Sequence, residues 1–479
     1  MFSLTMFLSL ALSVVTVSTS SLGDAQVAIS PLNASYIDSR HDYWNARQSN
    51  YSPSCVVYPK SSQDVSVAIR AIRESGSRFA VKAGGHSPNN FFSSVDQGVL
   101  IDFKSMTAKS YDAATTLATY EPGSNWGQLY EFYQQYDRTV MGGRLSGVGT
   151  GLALGGGLSY LAPQYGMACD SFTELEVVLL NGTITTASTT SNPDLFFGLR
   201  GGGGNAFGVV TRYTVQSHPI GKFYAGTLIY VLDHAQKVLE ATHDFIAYNI
   251  DPKANILVTY ETLTTPDVLL NLDEVIVVFI VYDGADPGAA FSNFTQIPRL
   301  LDTSKPNKAY TEVADMPIPY TAELSRADNV FRIGAHQISG SDAYREVYDR
   351  YAAWADANKG LYVFVSLNFY PVARSMTDAS RARGGNAMQM PDGPWFWVNY
   401  LLSTPPGLLL DLHDRVQASF RAMVEATPSA PGLPLFLNEA AVDQRPLASF
   451  PTYRRLQQIK REYDPDGFFA NKTGGWTFD

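Results

Sequence analysis

The sequence predicts an α+β protein, with a strand–helix–strand lobe early in the chain and an antiparallel sheet covered on one face by helices later. Three observations carry that prediction. A short capped helix precedes the strand-like run Arg78-Phe79-Ala80-Val81-Lys82, which ends in Gly84-Gly85 and forms a compact α/β unit. Beyond Pro219, long apolar and aromatic strands alternate with helices and show no parallel βαβ fingerprint. The 479 residues, 45% hydrophobic and 17% charged, exceed one simple core and fit two or three ordinary globular domains.

In chain order, residues up to about Ser52 read as an irregular arm, and Cys55-Val56-Val57-Tyr58-Pro59 as a short strand. Ser61-Ser62-Gln63-Asp64 has the form of a capping box, in which the serine hydroxyl takes up a free N–H of the first turn. Val65, Ile69 and Ile72 then share one helical face, and Gly76 stops the helix. Residues 98–103 form another strand. Pro122-Gly123 opens a helix whose stripe of Trp126, Leu129, Tyr130 and Tyr133 is read as core. Leu175, Val177 and Leu179 alternate up to Asn181-Gly182, a hairpin turn, after which Ile184 resumes. Later strands are expected at 222–232, Ala254–Leu263, Glu274–Tyr282, 360–370 and 394–402, with helices at 233–248, 342–357 and 408–426. Trp395 and Trp397 fall on one sheet face, where packing is the default and an aromatic wall the alternative. Leu435 to Glu439 reads as a strand and Tyr453–Tyr463 as a helix.

A net charge of −10 without any basic run excludes a nucleic-acid partner, since nothing would neutralise phosphates in bulk. Residues 1–20 read as a secretory signal: the apolar stretch is short for a membrane span, and small residues follow it. Asn-x-Ser/Thr sequons at Asn33, Asn50, Asn181, Asn293 and Asn471 agree with a secreted or secretory-pathway glycoprotein. Cys55 and Cys169 make a candidate disulfide in that compartment, with two buried free thiols as the alternative. No CxxC or HExxH occurs and the histidines are scattered, so no metal site is expected.

Three glycine-rich stretches remain. They are Gly84-Gly85-His86-Ser87, the run from Gly142 to Gly157, and Gly201-Gly202-Gly203-Gly204 leading to Gly208. Glycines let backbone N–H groups approach a ligand, and such turns can cradle a pyrophosphate. They do not sit in the single strand–turn–helix unit that a dinucleotide fingerprint requires. In this order they resemble the vanillyl-alcohol-oxidase superfamily with its PCMH-type FAD-binding domain, and within it the fungal berberine-bridge-enzyme-like oxidoreductases. The resemblance covers residues 51–220 and roughly the last forty. It implies a two-lobed FAD-binding domain at 21–218 and a substrate-binding domain at 219–430. A C-terminal segment, 431–479, would return to the flavin domain.

The resemblance also implies an FAD-linked oxidoreductase of oxidase type. It would take a hydride from a small organic substrate and pass the electrons to O₂. The family bonds the flavin 8-methyl carbon to the histidine of a Gly-Gly-His-Ser motif, here His86, within Ala83, Gly84, Gly85 and Ser87. Many relatives add a cysteine bond, but the matching position is Leu145, so attachment through His86 alone is expected. Gly142, Gly143, Gly149, Gly151, Gly155, Gly156 and Gly157 would offer backbone to the cofactor, as would Gly208 and Val210. The middle stretch is one residue shorter than the family pattern, near the residues that control oxygen access.

Two carboxylates compete as the catalytic base, with two tyrosines in reserve. Asp392 matches the position of a plant-enzyme glutamate, with a solvated Asp-Gly turn as its plain alternative. The Tyr-x-Asn-Tyr of sugar oxidases becomes Phe436-Leu437-Asn438-Glu439, which keeps Asn438 and makes Glu439 a candidate. Tyr370, like Tyr400, is held in reserve. Loss of both tyrosines favours a secondary metabolite as substrate, through alcohol oxidation or oxidative ring formation. A carbohydrate oxidase and a flavin-carrying binding protein are the alternatives. A monomer without a stable membrane span is expected.

Overall fold

A computed structural model of the chain describes residues 26–28, 33–264, 272–316 and 327–478. The expected signal lies outside the described residues. Among those residues no helix is long and apolar enough to cross a membrane.

The first lobe contains β1 (Gln26–Ala28), α1 (Ala34–His41), β2 (Cys55–Tyr58), α2 (Ser62–Ser75), β3 (Phe79–Lys82) and β4 (Val99–Asp102). Its sheet runs β1-β2-β4-β3, with β2 and β3 both parallel to β4. The Ser61 hydroxyl accepts the Asp64 N–H, and the Asp64 carboxylate accepts the Lys60 N–H, so α2 begins where its side chains predict. Gly76 ends it at φ +64°, a left-handed position that favours glycine. The supposed irregular arm is in fact ordered. Asn33 caps α1, and a 3₁₀ turn follows at Ala46–Asn50. Its order comes from long-range bonds rather than from a repeating apolar pattern, so periodicity gave no sign of it.

The second lobe contains β5 (Lys109–Asp112), β6 (Leu117–Tyr120), α3 (Trp126–Gln134), β7 (Phe172–Val178), β8 (Ile184–Ser188) and β9 (Val209–Gln216). These strands form an antiparallel sheet in the order β5-β6-β9-β7-β8. Asn125 and Gln128 close a capping box at the start of α3, whose aromatic stripe is fully buried.

A larger antiparallel sheet follows. It uses β10 (Phe223–Tyr230), β11 (Ala254–Leu263), β12 (Glu274–Tyr282), β13 (Asp328–Gln337), β14 (Phe364–Val372) and β15 (Trp395–Thr404). The order is β10-β12-β11-β14-β15-β13, extended by the short strand Leu301–Asp302 at the β10 edge. Helices α4 (Ala235–Tyr248), α5 (Ser341–Ala357) and α6 (Leu410–Glu425) cover one face. Strand β13 was not anticipated, because Asn329, Arg332, Gly334 and His336 interrupt its apolar alternation. Trp395 and Trp397 face the lobes, their rings perpendicular at 4.9 Å, and belong to the core shared with the second lobe.

Helix α7 (Tyr453–Tyr463) leads back to the first lobe, where Phe468 and Phe469 pack on Phe79. The expected strand before it is instead a 3₁₀ turn, Leu437–Glu439. The Asn438 side chain bonds sideways to the Leu152 carbonyl and the Gly157 N–H, and the turn joins no sheet. The cysteines are not bonded. Cys55 is buried in the first-lobe core and Cys169 in the second, so the two thiols remain free.

Candidate active site

Strand β3 delivers the histidine loop to a place where three chains meet at backbone distance. A Cβ on Gly84 would come within 2.7 Å of the Gly149 backbone, and one on Gly85 within 2.7 Å of the Asp42 carbonyl. Gly85 also sits at φ +64°. Both glycines are therefore required by close approach, whatever is bound.

Beyond them opens a cavity of about 300 Å³ between the two lobes and the Leu437–Glu439 turn. His86 reaches its wall. The His86 imidazole lies flat on the Trp44 indole, with centroids 4.7 Å apart and planes 8° from parallel. Burial disfavours its protonated form and pulls its pKa down to about 4, so the ring is neutral near pH 7.

The cavity is lined by Ala83, Gly84, Gly85, His86 and Ser87, by Gly149, Gly151 and Gly155, and by Gly208, Val210 and Asn438, all anticipated. Four anticipated glycines do not line it. Gly142 and Gly143 are small because Trp126 lies against them, where a Cβ would meet the indole at 2.0 and 2.7 Å. Gly156 and Gly157, at φ +110° and +77°, turn the chain behind the wall. Gly157 donates its N–H to Asn438 Oδ1 at 3.2 Å.

The base candidates separate cleanly. Asp392 is a correction: its side chain is 54% exposed, paired with Arg381 and Arg374, and absent from the cavity wall. Arg381 holds its carboxyl below the usual range, as expected of a solvated turn residue. Glu439 lines the cavity, with Oε1 accepting from Arg144 at 3.0 Å and Oε2 buried without a hydrogen-bond partner. Burial pushes the Glu439 carboxyl up, and Arg144 partly offsets this. Tyr370 is outside the cavity wall but adjoins both Glu439 and Arg144. The Arg144 guanidinium lies over its ring at 4.2 Å, and burial with the nearby Glu439 keeps the phenol protonated.

Sequence reasoning gave no role to Arg144, Trp44 or Phe331. The arginine did carry a signal, since a guanidinium inside a buried glycine run needs a carboxylate partner. The other two sit on the elements that periodicity missed.

The wall suits a flavin dinucleotide. Gly84 and Gly149 expose bare backbone, and a Cβ on Gly151 would meet no protein atom, so it would stand in the cavity. A diphosphate needs such bare N–H groups. Leu145, Leu152, Val210 and Phe436 supply the apolar walls that ring systems need.

Comparisons with known proteins agree with this geometry. An FAD binding domain model matches residues 53–188, and a berberine and berberine-like model matches 451–474. An uncharacterized FAD-linked oxidoreductase of Arthroderma benhamiae is 33% identical, covering 93% of this chain and 91% of its own length. The bifunctional solanapyrone synthase of Alternaria solani is 31% identical over 88% of this chain and 81% of its own. Among solved structures, berberine bridge enzyme from Eschscholzia californica matches with TM-score 0.77 at 17% identity, covering 97% of this chain and 98% of that one. Xylooligosaccharide oxidase from Myceliophthora thermophila C1 matches with TM-score 0.75 at 18% identity, covering 96% and 97%. At these identities the structural likeness concerns the fold.

Proposed function

Because the chain belongs to the fungal berberine-bridge-enzyme-like FAD-linked oxidoreductases, we propose that it oxidises a small hydroxyl-bearing secondary-metabolite intermediate, with FAD bonded to His86 and Glu439 as base. One observation carries the assignment of the base. Glu439 lines the same cavity as His86, and its buried Oε2 has no hydrogen-bond partner.

When bound, FAD supplies the two-electron acceptor for a hydride and gives the electrons up to O₂ as hydrogen peroxide. The chain's residues do the rest. Gly84, Gly149 and Gly151 leave room for the cofactor's diphosphate, and neutral His86 offers a ring nitrogen. A bond from that nitrogen would replace the imidazole N–H and one hydrogen of the cofactor's methyl group, the two protons and two electrons passing to O₂. Arg144 holds Glu439 Oε1, which would orient Oε2 toward a substrate hydroxyl, and its charge favours the ionised carboxylate against desolvation. That hydroxyl proton moves to Oε2 as the hydride leaves the adjacent carbon, giving a carbonyl.

The sheet face turned to the lobes supports an oxygen-rich substrate. Glu261, Ser366, Asn368 and Asn399 occupy adjoining register positions there and are buried. Glu261 Oε2 and Asn399 Nδ2 have no hydrogen-bond partner. Unpaired buried groups are costly unless a ligand completes them, and hydroxyl or carbonyl oxygens would do so. The solanapyrone synthase and the FAD-dependent monooxygenases among the relatives support a secondary-metabolite intermediate.

All five sequon asparagines are exposed, which supports N-glycosylation in the secretory pathway. A mass decrease on enzymatic deglycosylation tests that point.

The main test is acid precipitation of the purified protein, followed by anaerobic mixing with aromatic alcohols, polyketide-like alcohols and oligosaccharides. A yellow pellet, flavin mass on the His86 peptide, and bleaching by the first two groups are expected. A colourless pellet overturns the bond. Bleaching by oligosaccharides alone overturns the substrate class.

A further inference from the structure

The histidine loop is gripped by a segment that plays no part in the function described so far. The Trp44 N–H donates to the Gly85 carbonyl at 3.2 Å, and Gln48 Nε2 donates to the Ser87 carbonyl. Asn45 Nδ2 reaches the Pro88 carbonyl at 2.7 Å and the Asn329 carbonyl of β13 at 2.9 Å. The backbone on both sides of His86 is thus fixed from one direction.

The segment is itself anchored at both ends. Buried Lys82 donates to the Ser39 carbonyl at 3.1 Å and lies 3.6 Å from buried Asp102. The Ala46 N–H donates to the Ala327 carbonyl at 3.1 Å, at the start of β13. Within this clamp the Trp44 indole lies between two rings: His86 at 4.7 Å, and Phe331 of β13 at 5.4 Å and 26°. Phe331 also lines the cavity.

We propose that Trp44 is the positioning residue for flavin attachment, holding the His86 ring in the plane from which its nitrogen forms the bond. This inference rests on the His86 bond proposed above. The physical need is clear. The torsion that spins an imidazole has broad wells, so the ring's own chemistry does not fix its plane. Bond formation requires reacting atoms held at contact distance and in line, and a small misplacement costs rate steeply. A parallel indole on one face removes that freedom without occupying either ring nitrogen. Trp44 touches the histidine and not the reacting methyl, so it acts through His86.

The test follows attachment rather than turnover. Full-length protein produced under riboflavin limitation is incubated with excess FAD, and acid-insoluble flavin is measured over time beside total bound flavin. Trp44→Leu should slow attachment by about tenfold to a hundredfold, with total flavin unchanged, and Trp44→Phe should restore most of the rate. His86→Ala should give no acid-insoluble flavin. Attachment by Trp44→Leu at the wild-type rate overturns the inference. So does Trp44→Phe as slow as Trp44→Leu, or a Trp44→Leu protein that holds no flavin in either fraction. Acid-insoluble flavin persisting in His86→Ala instead overturns the bond assignment, which keeps the two failures distinct.

Discussion

The two faces of the large sheet are built from the same strands and obey different rules. On the helix-covered face, Val258, Leu367, Phe369, Phe396, Val398 and Tyr400 interlock with α4, α5 and α6 in a continuous apolar core. One residue along each strand, the face toward the lobes carries Thr259, Glu261, Ser366, Asn368 and Asn399. Period-two alternation turns them to the opposite side. Both faces are buried and both hold unpaired polar atoms, Glu261 Oε2 and Asn399 Nδ2 on the second, His336 Nε2 and the Tyr344 hydroxyl on the first, each at a cost in free energy. The comparison teaches that one face is mainly apolar packing with a few polar exceptions, whereas the other gathers polar side chains at adjoining register positions.

Substitutions can break that contrast. The largest effect is expected at the cavity, where Glu439→Gln keeps shape and removes the base. Its kcat should fall about 10²- to 10⁴-fold in steady-state assays, with little change in melting temperature. Because the Glu439 pKa is raised, wild-type kcat/KM should climb with pH through a limb above the usual glutamate range. That limb should vanish in the variant. On the helix face the signature reverses: Phe396→Ala should cost about 3–5 kcal/mol in denaturant titration while the flavin-bound protein keeps its kcat.

Smaller effects sharpen the contrast through pH. Burial raises Glu261 to about 8, so between pH 4.5 and 8 the folded protein binds more protons than the unfolded chain. Stability should therefore decline as pH rises through that window, by at most about 1.4 kcal/mol per unit. Glu261→Gln should remove the slope in melting curves collected across it. On the opposite face, burial, with the ring stacked on Phe396, lowers His336 to about 4. Here the unfolded chain binds the extra proton. Stability is complete above pH 6.5 and is lost toward pH 4, a slope that His336→Phe should flatten. The two faces thus titrate in opposite directions.

Much of this was legible in the sequence, and the gaps have physical causes. Capping at Ser61, the Asn181-Gly182 turn and the long apolar and aromatic runs of β11, β12, β14 and β15 are local signals, and they marked their elements within a few residues. The glycines were read as one class, although they serve two purposes. Gly84 and Gly149 are small because backbones touch, whereas Gly142 and Gly143 are small because Trp126 lies against them. Only three-dimensional packing tells these apart. Asp392 and Glu439 looked equivalent as candidate carboxylates. They differ in what surrounds them, arginines at the surface for one and a buried cavity for the other. Trp44 was invisible because its element is held by contacts with β13 and the histidine loop, both distant in sequence.

The cavity wall has a further consequence for how the protein is made. Its histidine loop emerges early from the ribosome, but Phe469, Gly475 and Trp476 of the same wall lie far downstream in the sequence. N-terminal segments can begin folding during synthesis, yet this enclosure cannot close until those residues have been made. A chain terminated before them would carry His86 without the walls that complete the cavity.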